Sequence, residues 1–143
     1  MLRILLPFAL FAIAFGCSCG PTSPTDQQRY CNSDYVGVFK ILSVRAGANS
    51  FSLIYSVEVV EVFKSQNALQ KGSTIEISTR SQTNLCGVPG LVVGSEYLLN
   101  GSESNNVRAV NFCSIFRPTL WSQVSAELKN ALKNGSFEPC LLN

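Results

Sequence analysis

The run Phe51-Ser52-Leu53-Ile54-Tyr55-Ser56-Val57-Glu58-Val59-Val60-Glu61-Val62-Phe63-Lys64 carries the clearest structural signal in the chain. Phe51, Leu53, Tyr55, Val57, Val59 and Phe63 fall on one face, with Ser52, Ser56, Glu58 and Lys64 on the other. Period two over this length predicts a half-buried β-strand. Upstream, Arg45–Ser50 contains Gly47 and Asn49 and reads as a hairpin loop. Before it, Tyr35–Val44 is β-rich, with Gly37 at a bend where the sheet curls. Downstream, shorter strands are expected at Thr74–Thr79, Glu96–Leu99 and Val107–Phe112, parted by loops bearing Gly72, Gly87, Pro89, Gly90, Gly94 and Gly101. Residues 20–33 are turn-rich, with one helical turn at Thr25–Tyr30.

The period changes near the C-terminus. Leu120, Val124, Leu128 and Leu132 recur every four residues, Trp121 and Ala131 widen the stripe, and Gly135 offers a stop. An amphipathic helix over Thr119–Asn134 is expected. Five strands in meander-like order, a curling first strand and one packing helix predict a mainly β fold, a small closed barrel of OB type.

The first sixteen residues stand apart. Arg3 precedes an uncharged apolar run, Ile4–Phe15, and Ala14 and Gly16 place small residues at −3 and −1 before Cys17. This is the pattern of a secretory signal peptide, too short to span a bilayer. A cysteine directly after a cleavage site also occurs in lipid-anchored proteins, whose signals usually carry leucine where this chain has Ala14. The mature chain, 17–143, is expected to be a single secreted domain in the extracellular space or matrix.

Among 143 residues there are 11 Lys+Arg, 9 Asp+Glu and no histidine, a net charge of +2. The charges form no block, so neither a nucleic-acid surface nor an acidic tail is expected. Without histidine there is no Ser-His-Asp triad, no Cys-His pair and no His-ligated metal. No paired carboxylates suggest themselves either, and an enzyme is not expected.

Six cysteines, at 17, 19, 31, 86, 113 and 140, are an even number in a chain read as secreted. Three disulfides are expected, although fifteen pairings are possible. A Cys17–Cys19 bridge is disfavoured by strain. The lone C-x-C lacks the partners that a zinc ribbon requires.

Cys17-Ser18-Cys19-Gly20-Pro21, then Tyr30-Cys31-Asn32-Ser33-Asp34, Leu85-Cys86-Gly87 and Phe112-Cys113-Ser114 with Pro118 and Trp121 beyond, resemble the tissue inhibitors of metalloproteinases. Cys140 closes the pattern, which covers essentially the whole mature chain. The resemblance implies a netrin-type inhibitory domain with bridges Cys17–Cys86, Cys19–Cys113 and Cys31–Cys140. The stretch between Cys19 and Cys31 is two residues longer than is usual in the family. The chain also ends where longer members begin a second cysteine-rich subdomain, so docking to proenzymes is not expected.

By that resemblance the partner is a zinc metalloendopeptidase, and the inhibitor has no cofactor of its own. The α-amine and carbonyl of Cys17 would chelate the protease's zinc, displacing water from its open position. Ser18, pinned between Cys17 and Cys19, would enter the pocket beyond the scissile bond, and Gly20 and Pro21 would extend the wedge. Asn84 and Leu85 would contact the other side of the cleft. Taken alone, Ser18 is a spacer, Gly20-Pro21 a turn, Asn84 loop chemistry and Leu85 packing. A netrin-type module that binds a growth factor, receptor or matrix protein is the rival function. A monomer without membrane or nucleic-acid contacts is expected.

Two Asn-Gly-Ser tripeptides, at Asn100 and Asn134, are candidate N-glycosylation acceptors. Lys64, Lys71, Lys129 and Lys133 are read as solvated surface.

Overall fold

The structure is a computed structural model that describes residues 16–141. The expected signal segment, 1–16, therefore lies outside the described residues except for Gly16.

Five strands form a closed barrel: β1 Tyr35–Ala46, β2 Ser52–Ser65, β3 Thr74–Arg80, β4 Glu96–Ser104 and β5 Val107–Ala109. Their order around the barrel is β1-β2-β3-β5-β4, not a meander. After β3 the chain leaves the sheet and returns as β4 on the free edge of β1, pairing along Tyr35–Lys40. The short β5 then fills the gap between β3 and β4, parallel to the former. Closure depends on the curl of β1, whose register against β2 shifts at Val36/Gly37, Val38/Phe39 and Ile41/Ser43. At Gly37 a Cβ would stand 2.5 Å from the carbonyl oxygen of Glu61, so the bend admits no side chain.

The alternation of β2 holds for Tyr55, Val57 and Val59, all buried in the barrel with Phe39, Ile77 and Leu99. It fails at both ends. Phe51, 53% exposed, stands just before β2 at the tip of the β1–β2 hairpin. Val38 faces Glu61 while Phe39 faces Val59, so Val60 is an inserted residue and the parity flips beyond it. Phe63 consequently packs outside the barrel, with ring centroids 6.0 Å from Trp121.

That outer layer is a second core of Tyr30, Val36, Leu98, Phe116, Leu128 and Leu132. It joins the barrel to α1, Asp26–Cys31, and α2, Ala126–Lys133. Thr25 and Gln28 cap α1 reciprocally. Lys64 is not simply solvated. Its Nζ donates to the carbonyls of Tyr30 and Cys31, each at 3.1 Å, at the end of α1, where the Tyr30 carbonyl also accepts from Ser33 N.

The C-terminal helix is shorter than Thr119–Asn134. The Thr119 carbonyl accepts from Leu98 N at 2.7 Å and Leu120 bridges to Tyr97, which holds this stretch extended against β4. A 3-10 turn, Trp121–Gln123, follows, and Ser125 caps α2 by accepting from Leu128 N at 3.2 Å. Val124 thus joins the outer core without being helical, while the half-buried Leu120 packs against the barrel core instead.

Asn100, one of the two candidate acceptors, is 0% exposed. Its Nδ2 donates to Ser33 Oγ and to the Ser114 carbonyl, each at 2.8 Å, and its Oδ1 accepts from Phe116 N. Among the described residues, no helix is long and apolar enough to cross a membrane.

Candidate functional site

The segment Cys17-Ser18-Cys19 has no secondary structure of its own and is fixed by what its cysteines reach. Cys17 is bridged to Cys86 (Cα–Cα 4.9 Å) and Cys19 to Cys113 (Cα–Cα 5.1 Å). The third bridge, Cys31–Cys140, ties the end of α1 to the C-terminal tail. The first two bridges touch: Cys17 Sγ lies 3.5 Å from Cys113 Sγ, which lies 3.8 Å from Cys86 Sγ. None of these sulfurs carries a hydrogen, so these are packing contacts. Cys17, Cys86 and Cys113 are close enough to suggest a metal site, with sulfurs within 4.8 Å of one another. A metal needs thiolates, and all three sulfurs are engaged in bridges.

The receiving cysteines are held by the barrel. Thr83–Leu85 forms a 3-10 turn, and Cys86 closes it in the left-handed region at φ 60°. Gly87 follows, packed so closely that a Cβ would stand 2.1 Å from the Arg80 carbonyl. The Cys86 carbonyl accepts from Phe112 N at 2.9 Å, linking the two bridge-bearing segments. Behind them, the buried Thr79 hydroxyl donates to the Val110 carbonyl and accepts from Val88 N, both at 2.9 Å. The Tyr55 hydroxyl donates to the Val88 carbonyl at 2.9 Å, and burial raises its pKa above the usual phenol value.

The outcome is a ridge. Ser18, Cys19, Gly20 and Pro21 are exposed, and Cys17 is half-buried. The Cys17–Cys86 bridge brings this segment to the turn carrying Asn84 and Leu85, both exposed. Ser18 is thus flanked by two bridged neighbours. Gly20 lies in the left-handed region with open space around it, so the chain turns freely away toward Pro21.

Sequence reasoning missed the supports. Thr79 reads as an ordinary strand residue, and nothing in its neighbours announces a buried hydroxyl serving two backbones. Arg117 lies over the Phe112 ring at 3.9 Å and donates to the Phe112 carbonyl at 2.8 Å. This stiffens the strap just before Cys113. Beside it runs a groove of about 450 Å³ lined by Thr83, Pro89, Phe112, Arg117 and Leu120.

The family model for tissue inhibitor of metalloproteinase matches residues 16–141, nearly the whole chain. Among curated proteins, none matches the sequence closely enough to count as a relative.

Proposed function

The chain belongs to the tissue inhibitor of metalloproteinase family, and we propose that it is a secreted inhibitor of zinc metalloendopeptidases. In this proposal its Cys17 closes a five-membered chelate on the enzyme's catalytic zinc through the α-amino nitrogen and carbonyl oxygen. Such a zinc keeps one position open for water, and two backbone ligands held ready for it displace that water. The Cys17 side chain takes no part in ligation; its sulfur anchors the ligating backbone.

One observation carries this reading: a three-residue segment, half-buried at Cys17 and exposed at Ser18 and Cys19, fastened at both ends by disulfides that touch each other. A ligand fixed this way loses little freedom on binding, which favours affinity. Ser18 then enters the pocket beyond the scissile bond, Gly20 and Pro21 follow the cleft, and Asn84 and Leu85 meet its other wall. Chelation needs a free amine, which exists only after cleavage between Gly16 and Cys17. Ala14 and Gly16 supply the small residues such a cut requires. The segment before it acts as the secretory signal, and 17–143 as one netrin-type domain that works as a monomer. Strand order β1-β2-β3-β5-β4 with β5 parallel to β3 supports assigning the barrel to the OB type.

Titrating a panel of zinc endopeptidases with the mature protein tests the proposal. Stoichiometric loss of activity in at least one is expected. A broad panel left untouched would favour a netrin-type module for a growth factor, receptor or matrix protein.

A further inference from the structure

We propose that Asn134 carries an N-linked glycan and that Asn100 does not, although both stand in the same Asn-Gly-Ser tripeptide. Local sequence cannot separate the two, so the fold must. The inference rests on passage through a secretory compartment, not on protease inhibition.

At position 100 the tripeptide is a requirement of packing. Both Nδ2 hydrogens are donated, to Ser33 and Ser114, and the carbonyl accepts from Phe116 N. A glycosylated amide keeps one N–H, so one of these bonds would be lost and a sugar forced into the core. Gly101 is equally constrained, since a Cβ would stand 1.8 Å from the Ala109 carbonyl. Asparagine and glycine are therefore both explained without any glycan.

At position 134 the fold asks for Gly135 as a helix stop but leaves the asparagine amide nitrogen unburied and unshared. Asn134 is the exposed C-cap of α2, and Gly135, at φ 71° with open space around it, turns the chain away from the helix. Its Oδ1 accepts from Ser136 N at 3.0 Å and from the Ser136 hydroxyl. This closes the tripeptide into an Asx turn. Among the described residues no hydrogen bond engages its Nδ2. The turn fixes the carbonyl on the chain side and leaves the nitrogen to react.

The donor is an oligosaccharide linked to a lipid pyrophosphate. Asn134 Nδ2 attacks the anomeric carbon, forming the C–N bond as the C–O bond to pyrophosphate breaks. The lipid pyrophosphate leaves with that electron pair, and one amide proton passes to a base on the transferring enzyme.

The test is the intact mass of the protein secreted from a eukaryotic host, before and after treatment with peptide N-glycosidase. Ser136→Ala and Ser102→Ala each remove one tripeptide while keeping both asparagines. The expected result is a glycan mass in the native protein that is retained in Ser102→Ala and lost in both Ser136→Ala and Asn134→Gln. Enzymatic release should leave aspartate at 134. A native protein without a glycan, or a glycan that survives Ser136→Ala, overturns the proposal.

Discussion

Cys17 Sγ and Cys113 Sγ belong to different disulfides and lie 3.5 Å apart. The two bridges therefore form one sulfur cluster beneath Ser18, and neither can shift without pressing on the other. The third bridge packs against the second core, around α2, and has no part in this cluster.

This separation predicts different consequences for different bridges. Replacing Cys31 and Cys140 together by Ala should cost about 2–5 kcal/mol of stability. The inhibition constant of the molecules that remain folded should be unchanged. Replacing Cys17 and Cys86 should abolish inhibition even well below the melting temperature. Urea unfolding paired with inhibition assays reads both effects, and equal losses of inhibition would count against a distinct role for the sulfur cluster.

Ser18 is exposed between the bridges and should govern selectivity rather than folding. Ser18→Gly is expected to weaken inhibition of most targets with Tm nearly unchanged. Ser18→Arg should separate proteases with deep pockets from those with shallow ones. Identical inhibition constants for all three forms across a panel would remove Ser18 from the site.

Thr79 should couple the core to the ridge. Thr79→Val leaves the Val88 N–H and the Val110 carbonyl without their buried partner, a loss of about 1–3 kcal/mol. Because Val88 lies two residues beyond Cys86, inhibition should weaken as well. Hydrogen exchange at Val88 in the folded protein should rise, and unchanged exchange there would contradict the link.

Glu103 and Arg108 face each other across β4 and β5 as an ion pair at 2.9 Å, with the Glu103 side chain 1% exposed. Arg108→Met strands a buried carboxylate and should cost about 3–5 kcal/mol. Adding Glu103→Leu to it should recover much of that loss. A double variant no more stable than Arg108→Met would show that the pair is not the source of the cost.

The parts of this fold written locally were legible in the sequence. Alternating β-branched and aromatic residues mark the strands, and an even cysteine count in a chain with a signal-like leader marks three bridges. The placement of β5 was not legible, because a three-residue strand carries no record of which neighbours it will join. Phe63 changed layers because an inserted residue, Val60, inverts the side chains that directly follow it, and hydrophobic pattern alone does not show a bulge. The four-residue spacing of Leu120 and Val124 suits a helix, yet pairing with β4 holds Leu120 extended. Asn100-Gly101-Ser102 reads the same whether it is a glycan acceptor or a buried clamp. As for the ridge, the C-x-C drew attention to it, but spacing left the pairing open and only the family resemblance pointed to Cys86 and Cys113. Its supports, Thr79 and the Arg117–Phe112 stack, come from distant segments meeting in space.

The most direct measurement concerns the Cys17 amine. Three forms should be compared against one zinc endopeptidase: one beginning at Cys17, one N-acetylated, and one that retains Gly16. An α-amine titrates at about 7.7–8.0 and must be neutral to ligate zinc, so binding releases a proton. Protonation competes with zinc, so affinity for the free-amine form should fall as pH drops below that range. The fall should approach tenfold per pH unit once the protease's own titration is removed. The two blocked forms, whose amide nitrogen has no lone pair to give, should be folded but without inhibitory activity. Blocked forms that inhibit as well as the free amine would contradict chelation by Cys17.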